Sequence, residues 1–422
     1  MEKKGVPTVA FVVDYFKQDA LAGGDEEGMN LRSAFTSFPL DQKGAEAIEK
    51  VRPAIDEIIR GLSEPLTDAE KAPKAKDREK LPRIAFKGNI EEVNRFYYSR
   101  HWTDGLPILP PTEEAVKEML KGTSHAPDEV IGIMPPESWK ATVEGVAING
   151  VMAGCKPKHM PVLLAGVEAF IQEPWFYNYV RSAGSYAFME VVNGPIVDEI
   201  GMNSGINAMG PGDLANMTIG RALRMIIINQ GGSLPGVSLM AAMGNLAARG
   251  FAFPENEKAS PWEPFHVERG FKATESVITI FGGEGGFRSH DFNDAIHTLQ
   301  INKHRTSCVL LMGPIEAKVL VERHGFKQKS DVKKWLWENT KITIEQWRDS
   351  VFYKNSLMPN LGKPGYHPAW YADPNLDPKT IVNVFPDPDH FYVVVVGGQL
   401  GAAETQLWEM GQPSSASIDK WR

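Results

Sequence analysis

Four segments, EVIGIMPP (129–136), SVITIFGG (276–283), SCVLLMG (307–313) and FYVVVVGG (391–398), are apolar almost from end to end, and each breaks off at Gly or Pro. A strand that faces water on one side alternates apolar with polar residues, whereas a strand buried on both faces does not. Between and after these runs, apolar residues recur at helical spacing over 142–154, 160–171, 214–230, 291–304, 314–324 and 331–339. The alternation predicts an α/β fold: a mostly parallel buried sheet with flanking helices. The dipeptide Asn193-Gly194 predicts a hairpin over 187–201, and 391–410 reads as strand, Gly turn and helix.

A chain of 422 residues exceeds one ordinary core. The strand TVAFVVD (8–14) and a helix over 42–62 precede SEPLTDAEKAPKAKDREKLP (63–82), which is charged, poor in apolar residues and punctuated by proline. Residues 1–82 therefore read as a small N-terminal α/β appendage with its linker, and 83–422 as the main body. With 45 Lys and Arg against 53 Asp and Glu there is no basic block, so neither nucleic acid nor an anionic membrane is an expected partner. No apolar run approaches the ~18 residues of a membrane helix, and the N-terminal run leads into Asp14 rather than a cleavage site. Two cysteines, Cys155 and Cys308, give no disulfide framework and no cysteine-rich zinc site. These points predict a cytoplasmic protein.

Chemistry-bearing residues gather in four places. Cys155 lies between two helical segments with Lys156, Lys158 and His159 beside it. A helix N-terminus and cations favour a thiolate, although a small buried side chain in a tight turn explains the same residue. The stretch GMNSGINAMGPGDLANMTIGRALR (201–224) precedes a helix with Asp213 or Asn216 as N-cap. Its Asn203, Ser204, Asn207 and Asn216, with Arg221, form an expected anion-binding loop. FPENEKASPWEPFHVERGF (253–271) sets His266 among carboxylates, of which Glu263 is taken as its partner for acid–base work. HWTDGLPILPPTEE (101–114) offers His101 and Asp104 ahead of a helix capped by Thr112. The strand-end turns 281–291 and 393–403 are expected to line one crevice, with Glu284, Arg288 and His290 reaching into it. His290, His297 and His304 recur every seven residues, a rise of about 10.5 Å per step, too far for joint ligation. No metal is expected, and no cofactor is indicated.

At HWTDGLPILPPTEEAVKEML, INGVMAGCKPKHMPVLLAGVEAF, NSGINAMGPGDLANMTIGRALRM and PWEPFHVERGF the chain resembles an uncharacterised bacterial family associated, as neighbour or fusion, with small proteins bearing a Sec/Cys-Gly-Ser-Cys motif. The resemblance spans about residue 100 to the C-terminus. This chain lacks that motif, so the resemblance implies that a redox or thiol partner is supplied by another chain. The expected function is a cytoplasmic small-molecule enzyme of lyase or oxidoreductase class, in which Cys155 assists cleavage or reduction of a carbon–heteroatom bond in a polar or anionic substrate. Two alternatives stand beside it: a hydratase or lyase working through His and carboxylates alone, and a non-catalytic subunit of a redox complex. Association into a homo-oligomer is expected.

Overall fold

A computed structural model describes residues 6–26, 32–37, 45–68, 82–182, 184–241, 243–289, 292–301, 307–349, 358–399 and 405–422. Strands β1 (Ala10–Val13) and β2 (Ser33–Thr36) pair in parallel around α1 (Lys17–Glu26), and α2 (Ala45–Ser63) packs beside β2. Asp19 of α1 reaches Arg181 of the main body at 3.1 Å. Residues 69–81 of the expected linker lie outside the described residues.

The body begins with α3 (Ile90–Ser99) and α4 (Glu113–Leu120), the latter capped by the Thr112 hydroxyl as its sequence predicts. An antiparallel pair, β3 (Val130–Met134) and β4 (Trp139–Thr142), leads into α5 (Val143–Ala153) and α6 (Met160–Gln172). Next come β5 (Ala187–Asn193), α7 (Leu214–Gly231), β6 (Phe251–Pro254) and the long β7 (Val277–Ser289). The chain continues through α8 (Phe292–Ile301), β8 (Cys308–Met312), α9 (Pro314–His324) and α10 (Lys329–Asn339). It closes with β9 (Lys341–Thr343), β10 (Ile381–Asn383), β11 (Phe391–Val395), β12 (Thr405–Met410) and β13 (Ser414–Ser417).

Helices α5, α6 and α7 are apolar nearly all round because they form a buried layer. Small residues let them close up: a Cβ on Gly166 would lie 2.7 Å from the Leu223 side chain. The Asp213 carboxylate caps α7 by accepting from the Asn216 N–H at 3.0 Å. Among the described residues no helix is long and apolar enough to cross a membrane.

The main sheet has the order β11-β8-β12-β7-β5-β6, with β13 beside β7. Only β8 with β11 and β5 with β6 are parallel; β7 and β12 run against their neighbours. The chain thus mixes helices and strands as expected, but the sheet is mixed rather than mostly parallel. Continuous apolar runs report burial on both faces and carry no information about strand direction. Two local expectations change as well. After β5, Asn193-Gly194 turns into a one-turn helix, Ile196–Ile200, instead of a hairpin, and 405–410 is a strand held between β7 and β8 instead of a helix.

One face of the sheet, with Phe188, Val192, Ile278 and Ile280, packs on α5, α6 and α7. The other face curls into its own core of Met189, Val191, Phe253, Phe281, Leu311 and Tyr392. The curl brings the two edges together, since the Asn256 N–H, just beyond β6, donates to the Val395 carbonyl of β11 at 2.7 Å.

Candidate functional site

The curl gathers the C-terminal ends of β5, β6, β8 and β11. Glu255 N–H donates to Val192 O at 3.1 Å, Asn256 N–H to Val395 O, and Val396 N–H to Met312 O at 2.9 Å. Ligands of α/β proteins gather at such edges. Here Glu255 is wholly buried and its carboxylate is fully used. It accepts from Lys329 Nζ at 2.7 Å, Asn193 Nδ2 at 2.7 Å and the Phe265 N–H at 2.6 Å. Glu257, two residues on, accepts from Asn193 Nδ2 at 2.9 Å and the Gly194 N–H at 2.8 Å.

His266 completes the cluster from a one-turn helix, Phe265–Glu268, that follows Pro264. Its ring is fully buried, and Nδ1 stands 3.8 Å from Glu257 Oε1, within ion-pair reach but beyond a hydrogen bond. Both ring nitrogens and the Asn193 Oδ1 are buried with no hydrogen-bond partner among the described residues. Leaving such groups unmet costs about 1–3 kcal/mol each. Several of them in one place make this cluster the candidate site. Glu257, with 26% of its side chain exposed, is the member of the His266–Glu257 pair that reaches solvent.

A cleft of about 400 Å³ lies against the same edge. Residues Ile206–Gly210 form one wall and Leu311, Gly313, Ile315, Val396, Gly397 and Gly398 the other. Asn256 ties it to the cluster: it sits between Glu255 and Glu257 in the chain, and its Nδ2 donates to the Gly397 carbonyl at 2.8 Å. Over the described residues the 201–212 loop meets the 393–403 turn, a pairing the sequence did not signal. Gln406, which the sequence did not single out, is also in the wall.

The loop asparagines do different work from that expected. Asn216 is buried and donates to Asn203 O and Ala208 O, both at 2.9 Å. Asn203 donates to Ile206 O at 2.9 Å, and Asn207, in the left-handed region at φ 63°, donates to Pro211 O at 2.8 Å. These amides fasten the loop to itself, so they shape the cleft wall instead of presenting donors to a ligand. Ser204 is half-buried.

Other expected residues are placed elsewhere. Glu263 is exposed, and the carboxylates beside His266 are Glu257 and Glu255. His101 is exposed at φ 56° in the turn after α3. Asp104 and Arg221, read as parts of separate sites, bind each other: Arg221 Nε to Oδ2 at 2.8 Å and Nη2 to Oδ1 at 3.0 Å. The side chains of Glu284 and Arg288, and all of His290 and His304, lie outside the described residues, while His297 is exposed. Among the described residues no group of three or more His, Cys, Asp or Glu is placed to hold a metal.

Cys155 is buried in the turn after α5, where its thiol donates to the Thr218 carbonyl of α7 at 3.4 Å. Burial pushes the thiol up to about 12, against smaller lowering effects from the Thr218 bond, Arg221 and Lys156. The activated thiolate expected from the neighbouring lysines is thus corrected, because desolvation outweighs them. Cys308, the other thiol, is also buried. Iodoacetamide is expected to leave both cysteines unmodified in the native protein and to label both after unfolding in denaturant, as read by intact mass. Rapid native labelling of Cys155 would restore the thiol reading.

No family description, curated protein or solved structure matches this chain.

Proposed function

We propose that the chain is a hydratase- or lyase-type enzyme for a small anionic molecule, working by proton transfer at His266 with Glu257 as its carboxylate partner. The observation that carries this reading is the fully buried imidazole, 3.8 Å from Glu257, whose two nitrogens have no hydrogen-bond partner among the described residues, in a cluster that Asn256 ties to the cleft wall at Gly397. His266 moves one proton to or from the substrate, and the Glu257 charge steadies the imidazolium that results. The cleft suits an anion, because α9 opens there with Gly313 as its N-cap and no capping side chain. Should the reaction need a thiol, the resemblance to the family associated with Cys-Gly-Ser-Cys proteins points to a second chain as its source, since both cysteines here are buried.

Turnover of a panel of hydroxy- and unsaturated carboxylates, followed by absorbance of the conjugated product, tests the proposal. His266→Asn is expected to lower kcat/KM by about 10²–10⁴-fold, with Glu257→Gln intermediate and Cys155→Ser unchanged. Normal turnover by His266→Asn would sink it, as would a panel in which no member is turned over or raises the thermal midpoint.

A further inference from the structure

We infer that α7 carries a second binding site, separate from the cleft, in which the guanidinium of Arg224 holds an oxyanion, a carboxylate or a phosphate, beside the Asp104–Arg221 pair. The stem of Arg224 is fixed by a close crossing. At Gly250, φ 83°, an added Cβ would lie 2.2 Å from the Gly220 carbonyl oxygen of α7 and 3.2 Å from the Arg224 Cβ. Arg224 is partly buried there, yet none of the described residues gives its guanidinium a hydrogen bond or an ion pair.

Asp104 is the acid that acts on Arg224 through space, and both its oxygens are already engaged by other donors. Its Oδ2 takes Arg221 Nε, and its Oδ1 takes both Arg221 Nη2 and the Leu106 N–H at 3.2 Å. Arg221 is held on Asp104 by that fork and by a further bond from Nη2 to Pro107 O at 2.8 Å. Two guanidinium groups thus stand near one carboxylate that is bonded to Arg221 alone of the two. Burial pushes Arg224 down to about 10, still charged at neutral pH. A planar fork of donors with a net positive surround matches a two-oxygen face of a carboxylate or phosphate.

Calorimetric titration of the full chain with inorganic phosphate and with benzoate, at ionic strength matched with chloride, tests the site. One saturable binding event is expected. Arg224→Gln should weaken it at least tenfold, Arg224→Lys should weaken it less because the charge stays and the fork is lost, and His266→Asn should leave it unchanged. Preference for benzoate would assign a small organic acid, and preference for phosphate a phosphorylated compound. Absence of saturation above the chloride control, equal binding by Arg224→Gln, or loss of binding in His266→Asn would overturn the inference. The last result would place the anion in the cleft instead, while unchanged binding in a protein lacking turnover would leave this site standing without the proposed reaction.

Discussion

Lys329→Met is expected to lower the unfolding free energy by about 3–5 kcal/mol, the cost of leaving a buried charge without its partner. Both members of the pair are almost fully shielded: Lys329 side chain 4% exposed, Glu255 side chain 0%. Lys329 is also the first residue of α10, where the helix dipole is unfavourable to a cation. Its position makes sense through Glu255 and through the Phe265 ring 5.5 Å below the ammonium. Removing the lysine leaves the Glu255 carboxylate to two neutral donors, Asn193 and the Phe265 N–H. The double variant Lys329→Met, Glu255→Gln should recover much of the loss, because an uncharged amide needs no counter-charge. Urea unfolding of the parent, both single variants and the double variant measures this. A Lys329→Met midpoint equal to that of the parent would show that the pair is not desolvated in solution. Glu255 also holds Asn193, which in turn holds Glu257, so the single variant should lose the geometry of the proposed site along with stability.

How far the sequence foretold this arrangement depends on the range of each interaction. The helices α5, α6 and α7 and the caps at Thr112 and Asp213 were legible, because periodicity and capping are settled within a few residues. Strand direction was not, and the reversal of β7 and β12 follows from partners more than a hundred residues apart. ETQLWEM contains good helix formers, yet β12 is bonded on both sides to β7 and β8, and tertiary pairing overrides local propensity. Asn193-Gly194 did signal a turn. The turn is tight because Gly194, φ 87°, packs where a Cβ would meet the Glu275 carbonyl oxygen at 2.2 Å, but that geometry does not dictate a returning strand.

The candidate site was legible in part for the same reason. His266 stood out among acidic neighbours, but spacing could not say which of Glu255, Glu257, Glu263 and Glu268 turns inward. Asn193 and Lys329 lie 62 and 74 residues from Glu255 and carry no local mark. At Cys155 the error has a definite sign. Lysines close in sequence point to a thiolate only where solvent or a ligand reaches the sulfur, and here the helical layer has excluded both.

Glu190→Gln is expected to stabilise the protein increasingly as pH rises, by about 1–3 kcal/mol at mildly alkaline pH, the penalty of an unsatisfied buried polar group. Glu190 lies in the middle of β5 and points into the helix-facing core. Around it are Met134, Phe170, Phe188, Leu223, Ile226 and Ile280, and the void beside it is about 10 Å³, room for one water at most. Backbone N–H groups of Phe251 and of Glu190 itself favour the carboxylate, but burial dominates and holds the carboxyl well above its usual range. Oε2 has no partner. The native state therefore keeps a proton that the unfolded chain releases near pH 4.3. Below that pH both states bind it and the residue is neutral in effect. Above it the unfolded state binds fewer protons than the native state, so stability falls as pH rises towards the folded value. Glutamine has the same shape and does not titrate, so its curve should lack this fall. Thermal or urea midpoints for parent and variant from pH 5 to pH 9 should diverge steadily, and parallel curves would mean that Glu190 is solvated. A carboxyl kept at such a cost in the strand that also ends in Asn193 puts a pH-sensitive core directly behind the proposed site.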